Sequence, residues 1–317
     1  KKYELNYHEG NTLDLDIKKE WDIDSFDAVI GNPPYSTNPS KQNTTPLYNL
    51  FTEKFIDKTK YLLYVMPSRW FVGGKGLDKF RNMMKNRKDI RFIYSEDNAK
   101  KWFGNDVEIK GGVNYFLKDE NYNGKCLFDG VLYDLSKYDI IVKPRHHNII
   151  EKIKKKKCLD SLYNSSGYFK VRTNDKRLND TGATKCYVSS LKSKKRIKFI
   201  DNYENTNNFW KVITPRAAFG AYSGFGYKQI SNPNEIYTDS YISFRVDNES
   251  QARSLLSYLN TTFVNYLLSV RKISQDISKN TCKWIALVPL NKIWSNEEVY
   301  DYFKLTEGEI KFIESYI

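Results

Sequence analysis

A short apolar stretch that runs into two consecutive prolines constrains the fold more than any other feature of this 317-residue chain. Residues 26–30 read Phe-Asp-Ala-Val-Ile and end at Gly31, and Asn32-Pro33-Pro34-Tyr35 follows directly. This run predicts a strand that is covered on both faces, as in the parallel sheet of an α/β domain. The loop after such a strand is where α/β folds place ligands. The tetrapeptide is therefore the first candidate site.

The tetrapeptide also predicts a rigid pair of hydrogen-bond acceptors. Because Pro33 disfavours the helical region for Asn32 and Pro34 stiffens the turn, the Asn32 amide and the Pro33 carbonyl are expected to face outward. Two such acceptors would hold the hydrogens of a nucleobase amine and free its lone pair to attack a methyl group. Tyr35 would offer a flat face to a base that has left the duplex. An ordinary surface turn is the competing interpretation.

Together with Asn32–Tyr35, four further segments resemble motifs of a known enzyme family, and the resemblance covers nearly the whole chain. The chain resembles the amino-class adenine-N6 DNA methyltransferases of bacterial type II restriction-modification systems. The segments are His8–Asp14, Leu47–Phe51, Tyr61–Arg69 and Gly111–Phe116.

The resemblance implies a role for each matching residue. Asn32, Pro33, Pro34 and Tyr35 would be catalytic. Asn11, at a position where the family has an acidic or amide side chain, would contact S-adenosylmethionine together with Thr12 and Asn32. Phe116 would stack on the flipped base opposite Tyr35, although alternation alone fits plain strand core equally well.

The family's Gly-rich cofactor loop should lie upstream of Asn11, but only ten residues precede Asn11 in this sequence. Gly73-Gly74-Lys75-Gly76 and the glycines from Gly220 to Gly226 do not fit that loop. The sequence is therefore interpreted as the carboxyl-terminal part of a longer enzyme. Two alternatives stay open: a DNA-binding recognition module without its own catalysis, and the methyltransferase half of a fused restriction endonuclease.

The predicted fold is α/β in two domains. Residues 1–144 form a methyltransferase catalytic domain that lacks its first strands, and residues 145–317 form an α+β target-recognition domain. In the first domain we expect helices at 47–58 and 77–86 and strands at 61–66 and 90–94, alternating as in a parallel sheet. In the second, an apolar stripe at 255–268 predicts one long helix, and Thr306 opens a capping box.

Charge is concentrated at the start of the second domain. Residues 151–230, the basic segment, contain 18 Lys or Arg and six Asp or Glu, a net of +12 in a chain of net +13. Such a field suits a polyanion, and a solvated lysine-rich surface is the alternative. Duplex DNA is the predicted partner, with a cognate restriction endonuclease or a preceding part of the same chain. The candidate DNA contacts are Arg172, Asn174, Lys194, Lys195, Arg196, Arg216 and Lys228.

Other classes of protein fit the sequence poorly. The four cysteines have no paired spacing, which argues against a disulfide framework and a zinc site, and no metal is predicted. No apolar run approaches the length of a membrane span, and a cytoplasmic protein is expected. Asp106 to Lys110 contains the Glu-x-Lys half of a magnesium nuclease signature. It lacks the upstream Pro-Asp partner and directly precedes the segment that the methyltransferase resemblance explains.

Overall fold

The chain divides into two compact units, Lys1–Arg145 and His146–Ile317. A computed structural model describes the chain except for some short segments. The described residues are 6–37, 44–105, 109, 111–154, 156–188, 196–201, 203–204, 208–217, 224–272 and 274–317. Both units mix helices and strands, so the protein has a mixed α and β fold.

A six-stranded sheet forms the centre of the first unit, in the order β1-β2-β4-β3-β5-β6. The four elements predicted between residues 47 and 94 are all present. The elements are α1 (Ile17–Trp21), β1 (Phe26–Gly31), α2 (Tyr48–Phe55), β2 (Thr59–Pro67), a 3₁₀ turn (Ser68–Phe71), α3 (Asp78–Asn86), β3 (Ile90–Glu96), α4 (Lys100–Phe103), β4 (Val113–Asp119), β5 (Cys126–Phe128) and β6 (Val131–Tyr133).

The sheet is mixed, whereas alternation of strands and helices predicted a parallel one. β1 pairs with β2 in parallel, and so does β3 with β5. β4 lies between β2 and β3 and is antiparallel to both. The difference arises because β4 returns beside β3 without a helical crossover, and only a crossover would keep the direction of the strands.

The prediction that β1 is covered on both faces is wrong in this structure. Within the described residues β1 pairs only with β2 and forms an edge of the sheet. Ala28 is exposed, and 74% of the Ile30 side chain is accessible to solvent. The apolar composition of β1 is therefore not explained by the packing of the described residues.

The second unit contains two smaller sheets and a set of helices. One sheet has the order β11-β10-β13-β7 and the other the order β12-β8-β9. The elements are a 3₁₀ turn (Pro144–His146) at the division of the units, α5 (His147–Ile153), a 3₁₀ turn (Leu159–Leu162), β7 (Tyr163–Asn164), β8 (Thr184–Tyr187), β9 (Ile197–Ile200), β10 (Trp210–Pro215), β11 (Gln229–Ser231), β12 (Ile236–Tyr237), β13 (Tyr241–Val246), α6 (Glu249–Leu259), α7 (Thr262–Arg271), α8 (Asn296–Tyr302) and α9 (Glu307–Tyr316).

The single long helix predicted across residues 255–268 is two helices in the structure. The chain leaves α6 at Asn260, and Thr261 has extended backbone angles (φ −69°, ψ 150°) before α7 begins. Leu255, Leu259 and Phe263 are nevertheless fully buried, so the apolar stripe is core on both sides of the break. The capping box predicted at Thr306 is present at the start of α9.

No helix of the described residues is long and apolar enough to cross a membrane. Nor do the described residues contain a group of three or more His, Cys, Asp or Glu that could hold a metal ion. All four cysteines are free.

Candidate active site and nucleic-acid interface

The Asn32–Tyr35 loop begins at the carboxyl end of β1, beside β2. The last residue of β1, Gly31, is in register with Tyr64 of β2. A β-carbon at Gly31 would lie 3.3 Å from the Tyr64 ring, so the absence of a side chain lets that buried ring lie against the strand end. The loop therefore leaves the sheet at a tightly packed point.

The two predicted acceptors are available in this loop. Asn32 and Pro34 are exposed, while Pro33 between them is buried and holds the turn against the unit. Among the described residues no donor is hydrogen-bonded to the Pro33 carbonyl. The Asn32 side chain interacts with the Tyr35 hydroxyl closely enough to lower its pKa, and no hydrogen bond joins it to any other described residue. The turn thus exposes the Asn32 side chain and leaves the Pro33 carbonyl without a hydrogen-bond donor among the described residues.

Tyr35 is half-buried at the end of the same loop. Its ring packs edge-on against Phe103 of α4, with 6.4 Å between ring centroids and 78° between planes. The hydroxyl is buried, and no hydrogen bond to it is found in the described part of the chain. Burial raises the pKa of Tyr35 to about 12, and the nearby Asn32 side chain lowers it only in part. The phenol is therefore neutral at physiological pH and offers a ring rather than a base.

The loop is closed against the start of α2. The Tyr35 carbonyl accepts a hydrogen bond from the Leu47 amide at 3.3 Å, and the Thr37 amide donates to the Thr45 carbonyl at 3.0 Å. These bonds tie both ends of the intervening segment to one another. The position of Tyr35 is consequently fixed by α2 as well as by β1.

The structure does not support the stacking role predicted for Phe116. Phe116 lies in the middle of β4, opposite Tyr64 on one side and Ile93 on the other, and its side chain is 0% exposed. A ring in that position cannot meet a base unless the sheet core repacks. The alternative interpretation, strand core, describes it correctly. The ring that does lie beside Tyr35 is Phe103, which the sequence did not single out.

Asn11 and Thr12 form an exposed turn ahead of α1. The Asn11 side chain accepts from the Leu13 amide at 3.1 Å and donates to Asp14 at 2.8 Å. Lys54 of α2 anchors the turn through the Leu13 carbonyl. The amide of Asn11 still has a second lone pair and a second hydrogen for a ligand. No hydrogen bond or ring contact among the described residues joins this turn to the Asn32–Tyr35 loop.

In the second unit, two of the predicted DNA contacts line one cavity. Asn174 and Arg216 face a cavity of about 390 Å³ that Thr173, Asp239 and Ser240 also line. Asp239 accepts hydrogen bonds from the Thr173 amide at 2.9 Å and hydroxyl at 2.8 Å. The sequence did not indicate Thr173, Asp239 or Ser240, because only the fold brings residues 173 and 239 together.

The other predicted DNA contacts lie apart from the cavity lining. Arg172 is exposed on the same turn as Asn174. Arg196 is exposed and sits 5.7 Å from the Tyr227 ring. Lys228 is half-buried, its ammonium lies 3.3 Å from the Gly226 carbonyl, and burial lowers its pKa. Lys194 and Lys195 lie outside the described residues, as does most of the Asp106–Lys110 segment.

A known protein family matches part of the first unit. Residues 4–103 match the family described as Eco57I restriction-modification methylase. A protein of Mycoplasma pneumoniae (strain ATCC 29342 / M129 / Subtype 1), described as an "Uncharacterized adenine-specific methylase", is 32% identical over 119 residues. That match covers 36% of this chain and 28% of the relative. The chain thus spans little more than a quarter of the length of this relative.

Solved structures give weaker likenesses over a longer part of the chain. The type IIL restriction-modification enzyme MmeI, solved in complex with DNA, is 11% identical with a TM-score of 0.43, and the match covers 91% of this chain and 48% of that one. The type IIG restriction endonuclease BpuSI is 11% identical with a TM-score of 0.35, covering 83% and 44%. TM-scores this low do not establish a common fold.

The family match spans the Asn32–Tyr35 loop, α2, β2 and the residues up to Phe103. The resemblance to adenine-specific DNA methyltransferases of restriction-modification systems is confirmed by this match and by the Mycoplasma relative. The similarity to the Eco57I restriction-modification methylase family extends over residues 4–103 of this chain.

Proposed function

We propose that this chain carries the catalytic loop of an enzyme that methylates the N6 amino group of adenine in duplex DNA, as part of a restriction-modification system. The observation that carries the proposal is the pair of available acceptors on Asn32 and Pro33, beside the half-buried ring of Tyr35. Residues 1–144 would supply catalysis and residues 145–317 target recognition. S-adenosylmethionine would supply the electrophilic methyl group.

The chain's own residues would orient the amine and hold the base. The adenine amino group is paired inside a duplex, so the base must first leave the stack. The Asn32 oxygen and the Pro33 carbonyl would then accept its two hydrogens, which favours a more tetrahedral nitrogen with a free lone pair. Neither acceptor is basic enough to keep a proton, so the proton lost from the methylated nitrogen would pass to water. Tyr35, neutral at physiological pH, would contribute its ring face.

The proposed cofactor contacts are Asn11, Thr12 and Asn32. Their side chains fit the role in chemistry, since all three are polar and Asn11 keeps an unused lone pair and hydrogen. The side-chain oxygen of Asn11 would accept a hydrogen bond from the adenine amino group of the cofactor.

The cavity lined by Asn174 and Arg216 is the proposed site of contact with base edges. An amide and a guanidinium are the side chains that read adenine and guanine in the major groove. Arg216 lies 3.7 Å from Asp276 in an exposed pair, which solvent weakens and which leaves the guanidinium free to move to DNA.

The test is Asn32→Ala in the full-length protein, with methyl transfer from labelled S-adenosylmethionine to DNA as the readout. Loss of one preorganised acceptor is expected to lower the rate by about 100-fold or more. DNA affinity, measured by fluorescence anisotropy, should stay within about twofold because the change removes no positive charge. Asn121→Ala, at another exposed asparagine, is the matched control. Normal turnover by Asn32→Ala, or no methylation of adenine by the unaltered protein, would contradict the proposal.

A further inference from the structure

Arg69 is a partly buried cation without a counter-ion. It is the second residue of the 3₁₀ turn that follows β2. Its Nε atom is buried and unpartnered, and the described residues give its side chain neither a hydrogen bond nor an ion pair. Burial lowers its pKa, and the nearby Tyr48 phenol only partly offsets this. A desolvated charge is costly unless something pairs with it.

Other partly buried arginines of the same unit do have partners. Arg81 is bonded to Asp78 at 2.7 Å, and Arg87 to Asp57 and Asp89 at 2.8 and 2.6 Å. These buried or half-buried guanidinium groups are therefore compensated by carboxylates of the same unit. Arg69 departs from that pattern, which points to an anion supplied from outside the described chain.

The turn beside Arg69 adds further donors. Residues 73–76, Gly-Gly-Lys-Gly, all have positive φ values, of 97°, 83°, 51° and 79°. A β-carbon at Gly74 would lie 3.9 Å from a terminal nitrogen of Arg69, so the guanidinium borders this turn. In the described part of the chain, the amides of Gly74, Lys75 and Gly76 donate to no acceptor. Exposed amides grouped in one turn favour an anion.

This group of donors lies at the same edge of the sheet as the candidate active site. β1 and β2 are parallel neighbours, so the residues after their carboxyl ends emerge at the same edge of the sheet. The Lys75 ammonium donates to the Thr44 carbonyl at 3.1 Å. Thr44 lies three residues before Leu47, whose amide is hydrogen-bonded to the Tyr35 carbonyl. Tyr48, which borders Arg69, opens α2 directly after Leu47.

We infer that Arg69, Lys75 and the amides of residues 74–76 bind a phosphate of the DNA backbone next to the adenine presented to Asn32 and Tyr35. The inference rests on the proposed function for its choice of ligand. A guanidinium, an ammonium and backbone amides are the donors that proteins use for phosphate. A phosphate held here would fix the sugar-phosphate backbone while the base is rotated out of the stack.

The experiment is the salt dependence of DNA binding by the full-length double variant Arg69→Gln/Lys75→Gln, measured by anisotropy with a fluorescein-labelled duplex. Loss of one phosphate contact should make the slope of log K against log [salt] less steep by about 0.9. Arg91→Gln is the matched control, because Arg91 is exposed and already paired with Asp119 at 2.9 Å. Its slope should equal that of the unaltered protein.

A second readout separates binding from a structural role. Since Arg69 has no partner to lose, Arg69→Gln alone should melt at the same temperature as the unaltered protein or higher. A lower melting temperature, or an unchanged salt slope in the double variant, would overturn the inference. Neither readout depends on methyl transfer. A flattened slope in a protein that transfers no methyl group would uphold the phosphate site while the proposed function failed.

Discussion

Tyr35 can be changed in two ways that separate its ring from its hydroxyl. Tyr35→Phe removes only an oxygen that is buried and has no hydrogen bond among the described residues. Tyr35→Ala removes the whole ring, including its edge-on contact with Phe103. If the ring face holds the flipped base, the two variants should behave very differently.

The expected sizes follow from the surroundings of the side chain. Removal of an unpartnered buried hydroxyl should leave the free energy of unfolding unchanged or slightly increase it. Loss of the ring should cost about 2 kcal/mol, roughly half the usual cost for a fully buried aromatic, because Tyr35 is half-buried. Lost base stacking adds about 1 to 3 kcal/mol to the barrier for Tyr35→Ala, a drop in rate of roughly 5- to 150-fold.

Initial rates of methyl transfer and thermal melting of the full-length variants provide the measurement. Tyr35→Phe should retain nearly full activity from pH 6 to pH 9, since a phenol whose pKa is raised to about 12 stays neutral throughout that range. Phe103→Leu controls for the loss of ring packing alone. If Tyr35→Phe proved as inactive as Tyr35→Ala while both remained folded, the hydroxyl would take part in the chemistry and the stacking role would be refuted.

Two further predictions concern the second unit. Lys211 is fully buried, and burial lowers its pKa to about 8 from an ordinary 10.5, so the unfolded chain binds more protons between these pH values. The contribution of Lys211 to stability should therefore rise by about 3 kcal/mol as pH increases through that window. Urea unfolding measures it as the difference in unfolding free energy between the unaltered protein and Lys211→Met, which should shift in favour of the unaltered protein by that amount; a difference that does not change with pH would contradict the prediction. Asn174→Ala and Arg216→Ala should each relax the sequence preference of methylation at one base position, read by sequencing methylated adenines, whereas an unaltered preference in both would exclude the cavity as a reader.

Features that depend on local chemistry could be predicted from the sequence. The turn at Asn32–Tyr35 follows from two prolines after an apolar strand, and the capping box at Thr306 follows from the residue three positions on. The exposure of Ile30 could not be predicted, because it depends on which strands pair with β1. The break between α6 and α7 at Thr261 could not be predicted either, because apolar residues continue at helical spacing on both sides of it.

For the candidate sites, too, the sequence indicates suitable residues but not which of them lie together. From the sequence alone, Asn174 and Arg216 are two separate polar residues in turn-rich segments. They share a cavity because Asp239 binds Thr173 and because the Arg216 amide donates to the Ser240 carbonyl at 2.8 Å. Both contacts join residues far apart in sequence. Composition therefore identified residue types suited to DNA, while the pairing of strands determined which of them act together.

The charge of the basic segment also has to be corrected for burial and pairing. Lys152 and Lys185 are bonded to Glu309 and Glu235, two acids that the net of +12 does not include. Lys211 is 0% exposed and cannot reach a phosphate. With these three lysines set aside, the segment keeps a net charge of +9, which still includes Arg216 and its exposed pair with Asp276. Counterion release counts only the cations that meet phosphates, so the contacts must be sought among the exposed Lys and Arg side chains. Of the cations predicted to contact DNA, those that are exposed in the described part of the chain are Arg172, Arg196 and Arg216.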